Sequence, residues 1–179
     1  MESEITHHDY SVTGSLNTIK LSIEEWISLT QRGLMAPITI YLKGASMEPL
    51  IRYMKDSVKI IPVNRKLLEG DVVLFECADG KHVLHRIYKI IEDKGVIQTW
   101  GDNCYSPDPF ITISSVIGIA VSFNRNGQTI NLDSNEQRQK GLKWLNSKYK
   151  RYVWFTYRKI RSKASLLATR MNEQRIDKE

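Results

Sequence analysis

"DVVLFECADGKHVLHRIYKII", Asp71 to Ile91, decides the fold class. Two runs rich in Val, Ile, Leu and Phe flank Asp79-Gly80, a dipeptide that reverses the chain, so the stretch reads as two antiparallel strands. Working outward, "ITIYLK" and "SVKIIPV" precede it, and "GVIQTW" and "SSVIGIAVSF" follow. These runs are also β-rich, and further turn signals stand at Lys94-Gly95 and Asn126-Gly127. The sequence therefore predicts a mainly β protein with a compact, antiparallel β domain over residues 36–132.

The flanks differ. In residues 1–35, Ser22 and Glu25 have capping-box spacing, Ile23, Trp26 and Ile27 fall on one helical face, and Gly33 offers a stop, which predicts a short helix. In residues 133–179 the β pattern ends near Asn135, and Leu142, Leu145, Tyr149, Tyr152, Val153 and Ile160 recur at helical spacing, which predicts a helical tail. That tail is basic: Gln137 to Asn172 holds eleven Lys or Arg and no Asp or Glu, although the whole chain carries only +6. The rest of the chain is consequently net acidic.

With 179 residues, 41% hydrophobic and 26% charged, the chain can bury one sizeable core. Its two cysteines, Cys77 and Cys104, form neither a disulfide framework nor a zinc-ligand set. A reducing, cytoplasmic setting is expected, with no metal and no cofactor. The polar N-terminus has no apolar core of a secretory signal, and no apolar run reaches the roughly 18 residues needed to span a bilayer.

Chemistry enters at "KGASMEPLI", Lys43 to Ile51. Ser46 is either a turn residue or a nucleophile, and a serine hydroxyl becomes nucleophilic only when a base removes its proton. Strand alternation in "HVLHRIYKI" puts His85 on the face of Val83 and Ile87, and His82 with Leu84 and Arg86. Burial on that apolar side would keep the His85 ring neutral near pH 7, as a base or as a satisfied core histidine. "WGDNCYSPDPF" supplies two carboxylates, Asp102 and Asp108, either of which could orient a histidine or simply shape a loop.

The order "GASMEP", "GDVVLF", "VLHRI", "GDN", "PD", "IGIAVSF" resembles the type I signal peptidase and LexA-like serine peptidase clan, in its histidine-using branch of archaeal and endoplasmic-reticulum type, over roughly residues 38 to 123. The resemblance implies Ser46 as nucleophile, His85 as general base, Asp108 as orienting carboxylate and Asp102 as a supporting acid in the site wall. It also implies that the Ser46 N–H contributes to an oxyanion hole, and that Gly44, Met47 and Pro49 shape the turn and the substrate groove. The sequence departs from signal peptidases in having no membrane-spanning run, and from LexA-like proteins in having only about 35 residues ahead of the β domain. The expectation is a serine endopeptidase without a transmembrane anchor that removes a leader or signal-like segment from a precursor peptide or protein. The alternative is a non-catalytic peptide-binding or regulatory module of the same fold. The basic, aromatic tail would pack on the β domain or a partner protein, or lie peripherally on an anionic membrane; its aromatic content exceeds what contacts to nucleic-acid phosphates need.

Overall fold

The computed structural model describes residues 10–14, 17–33 and 36–176, with side chains from 22 to 33 and from 36 to 164. Among the described residues, ten strands form one sheet in the order β2-β1-β3-β4-β9-β5-β6-β7-β8, with β10 added to β9. They are β1 (Tyr10–Gly14), β2 (Asn17–Leu21), β3 (Ile38–Tyr41), β4 (Ser57–Pro62), β5 (Val72–Glu76), β6 (His82–Ile91), β7 (Val96–Trp100), β8 (Phe110–Thr112), β9 (Val116–Arg125) and β10 (Gln128–Asn131). Every pairing is antiparallel. Helix α1 spans Ile23–Gln31, α2 spans Asn135–Asn146 and α3 spans Lys148–Ile176.

The sheet begins earlier than the sequence reading placed it. Strands β1 and β2 form a hairpin ahead of α1, and Ser11 of β1 pairs with Thr39 of β3. Tyr10 and Val12 alternate with Ser11 and Thr13, and Ile19 and Leu21 with Thr18 and Lys20, but each strand holds only two apolar residues, too short a run to stand out from a loop. Helix α1 carries its capping box: Glu25 N–H donates to Ser22 Oγ at 3.1 Å, and Ser22 N–H donates to Glu25 Oε2 at 2.8 Å.

Strands β5 and β6 are apolar on both faces because two core clusters flank the sheet. Val72, Leu74 and Leu84 join Ile23, Trp26, Ile40 and Phe123 in one cluster, while Val73, Phe75, Val83 and Ile87 join Leu67, Ile97 and Ile119 in the other. Successive residues of one strand point to opposite faces, so each strand must satisfy two environments. Truncating a fully buried side chain such as Trp26 or Phe75 to Ala would cost about 3–5 kcal/mol.

Turn chemistry fixes the register. Arg125 pairs with Gln128 across Asn126-Gly127, and both loop residues have positive φ, 52° and 83°. That is the backbone of a two-residue hairpin turn whose twist matches the strands, and Asn and Gly tolerate it best. The helices after β10 begin at Asn135, where the β pattern stops. The chain separates into two compact units, one ending at Leu145 and the other starting at Asn146, so most of α2 belongs with the sheet. No helix among the described residues is long and apolar enough to cross a membrane.

Candidate active site

Ser46 lies in the turn-rich segment between β3 and β4, His85 in the middle of β6, and Asp108 in the loop between β7 and β8. The fold brings the three into a line. His85 Nε2 stands 2.9 Å from Ser46 Oγ, and His85 Nδ1 stands 2.7 Å from Asp108 Oδ2. A carboxylate can only accept, so Nδ1 carries a proton and, in the neutral ring, Nε2 is the acceptor facing the serine hydroxyl.

Each member is held by its neighbours. Thr99 Oγ1 donates to Asp108 Oδ2 at 2.6 Å, and Asp108 N–H donates to the Thr99 carbonyl at 2.8 Å. Gln98 Nε2 donates to the Asp108 carbonyl at 3.0 Å. The serine turn is stapled by Asn103, whose N–H donates to the Ser46 carbonyl at 2.7 Å and whose Nδ2 donates to the Ala45 carbonyl at 2.6 Å. The rings of Phe75 and His85 meet in an edge-on arrangement, with centroids 6.2 Å apart. Ser46 is 2% exposed and His85 1%, so these two are enclosed, while Asp108 is half-buried.

Burial is the largest influence on His85 and opposes its charge, but hydrogen bonds from the ring to Asp108 and to Cys104 outweigh it and raise its pKa to about 9. Reading the sequence from burial alone gave the opposite sign, because the acceptors on the ring are invisible to strand periodicity. Below about pH 9 the imidazolium donates from Nε2 to Ser46 Oγ; above it the neutral ring can accept the serine proton.

The second acidic residue serves elsewhere. Asp102 takes two parallel hydrogen bonds from Arg86, Nε to Oδ1 at 2.9 Å and Nη2 to Oδ2 at 2.8 Å, with both side chains 3% exposed. Arg86 Nη1 donates to the Gly70 carbonyl at 2.8 Å. Helix α2 covers this pair: Trp144 Nε1 donates to the Asp102 carbonyl at 2.8 Å, and a Cβ on Gly141 would lie 2.2 Å from the Arg86 guanidinium carbon. Asp102 thus holds the loop through Arg86, while Asp108 is the carboxylate bonded to the His85 ring.

The groove residues divide. Gly44 and Pro49 are half-buried in the turn segment. Met47, expected beside the substrate, is instead fully buried in the core cluster that contains Leu42 and Ile51. The far end of the segment is clamped by Asp56, which receives Arg52 and Arg125, while Arg125 Nη2 also donates to the Leu50 carbonyl at 2.7 Å. Burial opposes the charge on Asp56, yet the hydrogen bonds from Arg125 and Arg52 hold its pKa down at about 2.

Sequence reasoning missed Gly101 and Cys104. A Cβ on Gly101 would lie 2.6 Å from Cys104 Sγ, 2.8 Å from His85 Nε2 and 2.9 Å from the Ser46 carbonyl, so only glycine fits where the three meet. The signal was present in the crowding of "WGDNCYSPDPF", but nothing in the spacing says which loop atoms face β6. Among the described residues no group of three or more His, Cys, Asp or Glu is placed to hold a metal ion. No family model, curated protein or solved structure matches the chain.

Proposed function

We propose that this chain is a serine endopeptidase of the signal peptidase and LexA-like type, hydrolysing a peptide bond to release a leader or signal-like segment from a precursor polypeptide. The observation that supports it is the continuous line from Ser46 Oγ through both nitrogens of His85 to Asp108. Ser46 Oγ attacks the scissile carbonyl carbon while His85 Nε2 takes its proton, and Asp108 stabilises the imidazolium that results. The imidazolium then returns that proton to the departing amine as the C–N bond breaks. Water attacks the acyl-serine with His85 again accepting the proton, and the carboxylate product leaves Ser46 as a hydroxyl. General acid and base catalysis of this kind contributes about 10²–10⁴ in rate. Because Ser46 is enclosed, the peptide must displace neighbouring atoms before attack.

The test is covalent. A serine-directed phosphonate should label the protein on Ser46, with Ser46→Ala and His85→Ala unlabelled, and a library of precursor-derived peptides should gain new N-termini only with the unaltered protein. Labelling elsewhere, or cleavage that survives Ser46→Ala, refutes the assignment. An unlabelled serine together with peptide binding and no cleavage would support the non-catalytic module.

A further inference from the structure

The basic tail is not used by the proposed chemistry. Between Lys148 and Lys163 the sequence has seven Lys or Arg and no Asp or Glu, and this stretch is the first part of α3. Within it, Tyr149 is 78% exposed, Tyr152 70%, Val153 48%, Tyr157 50% and Ile160 63%. Taking about 100° per residue, these five fall within an arc of about 140°. Thr156 lies in the same arc, and its hydroxyl donates to the Tyr152 carbonyl at 2.9 Å, which removes a free polar group from the face. Lys148 and Lys159 border the arc on one side, Lys150 and Arg161 on the other, and Lys163 closes its C-terminal end.

An aqueous helix gains nothing by gathering large aromatics on an exposed face and ringing them with one sign of charge. At a bilayer surface the same arrangement is complementary: tyrosines sit at headgroup depth, Val153 and Ile160 enter the acyl boundary, and the flanking cations meet anionic headgroups. We propose that the Tyr149–Ile160 face of α3 docks in the plane of an anionic lipid bilayer. Charge complementarity selects this occupant. A second copy of the chain would set the basic borders against one another, and a nucleic acid would pair with the borders while leaving Val153 and Ile160 in water.

The experiment uses the full chain and sedimentation with vesicles of phosphatidylcholine alone or with added phosphatidylglycerol. Binding should appear only with the anionic lipid and weaken as salt rises. Lys150→Gln with Lys159→Gln should weaken partition by roughly five-fold for each charge removed. Tyr152→Ser with Ile160→Ser should weaken it by at least about ten-fold at unchanged charge, and both positions are exposed enough to leave folding intact. The proposal fails if the unaltered protein ignores anionic vesicles, if it binds neutral vesicles equally, or if the Tyr152/Ile160 variant binds undiminished. It also fails if those substitutions dissociate a dimer, or if duplex DNA binds more tightly than the vesicles. Serine labelling plays no part in the readout, so this proposal and the peptidase assignment stand or fall separately.

Discussion

His85 and Arg86 are neighbours on β6 that point to opposite faces, and each takes a carboxylate from the same loop after β7. The Arg86 side is closed: the guanidinium has two contacts to Asp102 and one to the Gly70 carbonyl, under a helix that leaves no room for a Cβ. The His85 side ends on a hydroxyl that can give up a proton. One loop therefore carries two carboxylates in two roles, and the difference lies in the partner. Arginine keeps its charge and can only clamp, whereas histidine can exchange a proton with what it touches.

The most severe challenge to this division is Ser46→Ala, which should lower turnover by roughly 10⁶ while urea unfolding stays within about 1 kcal/mol of the unaltered protein. Asp108→Asn should lower kcat by about 10⁴, since an amide cannot hold the same tautomer or stabilise the imidazolium. A peptidase assay that found Asp102→Asn more damaging per folded molecule than Asp108→Asn would reverse the two roles.

Next in size is Arg86→Met, which strips the buried Asp102 carboxylate of its arginine. It should cost about 3–5 kcal/mol in chemical denaturation, with turnover per folded molecule largely kept. Full stability together with lost turnover would show that the two sides of β6 are not separable.

The smallest effect sharpens the comparison on its reactive side. Removing the thiol in Cys104→Ala takes away one of the two groups that raise the His85 pKa, so the rise of kcat/KM with pH, expected through about pH 9, should move to lower pH. An unmoved profile would show that the thiol does not act on the ring. The same raised value affects stability. A histidine whose folded pKa of about 9 exceeds its ordinary 6.5 adds stability that is fully present below 6.5 and is lost as pH rises through about 9. Asp56 has the opposite sign: its folded pKa of about 2 lies below 3.8, so its contribution is present above 3.8 and fades as pH falls toward 2. Thermal unfolding of His85→Gln and Asp56→Asn against the unaltered protein, at either end of the pH range, measures both.

Much of the sheet was legible because β-branched and aromatic runs alternate with turn dipeptides, and strand alternation alone turns His85 to the Val83 and Ile87 face. The choice between Asp102 and Asp108 was not legible. Both sit in one short irregular loop, and its path depends on the hydrogen bonds of Thr99, Asn103 and Trp144 to loop and turn backbone, which no periodicity encodes. Met47 was misplaced for a related reason: a methionine beside a candidate nucleophile suits a groove and a core equally well in sequence, and only the chain's path after β3 turns it inward. The β1 and β2 hairpin escaped because each of its strands holds only two apolar residues, Tyr10 and Val12 in one and Ile19 and Leu21 in the other.

Trp144 Nε1 donates to the Asp102 carbonyl and Trp100 Nε1 donates to the Cys104 carbonyl, so two indoles are tied to the backbone of the loop that runs on to Asp108. Indole emission responds to the loss of such a hydrogen bond and to the entry of water. The molecule thus carries its own optical gauge of whether that loop is seated: Trp144→Phe and Trp100→Phe, each taken singly, would assign the two signals, and a stopped-flow trace on mixing with peptide would show whether and how fast the loop leaves its seat.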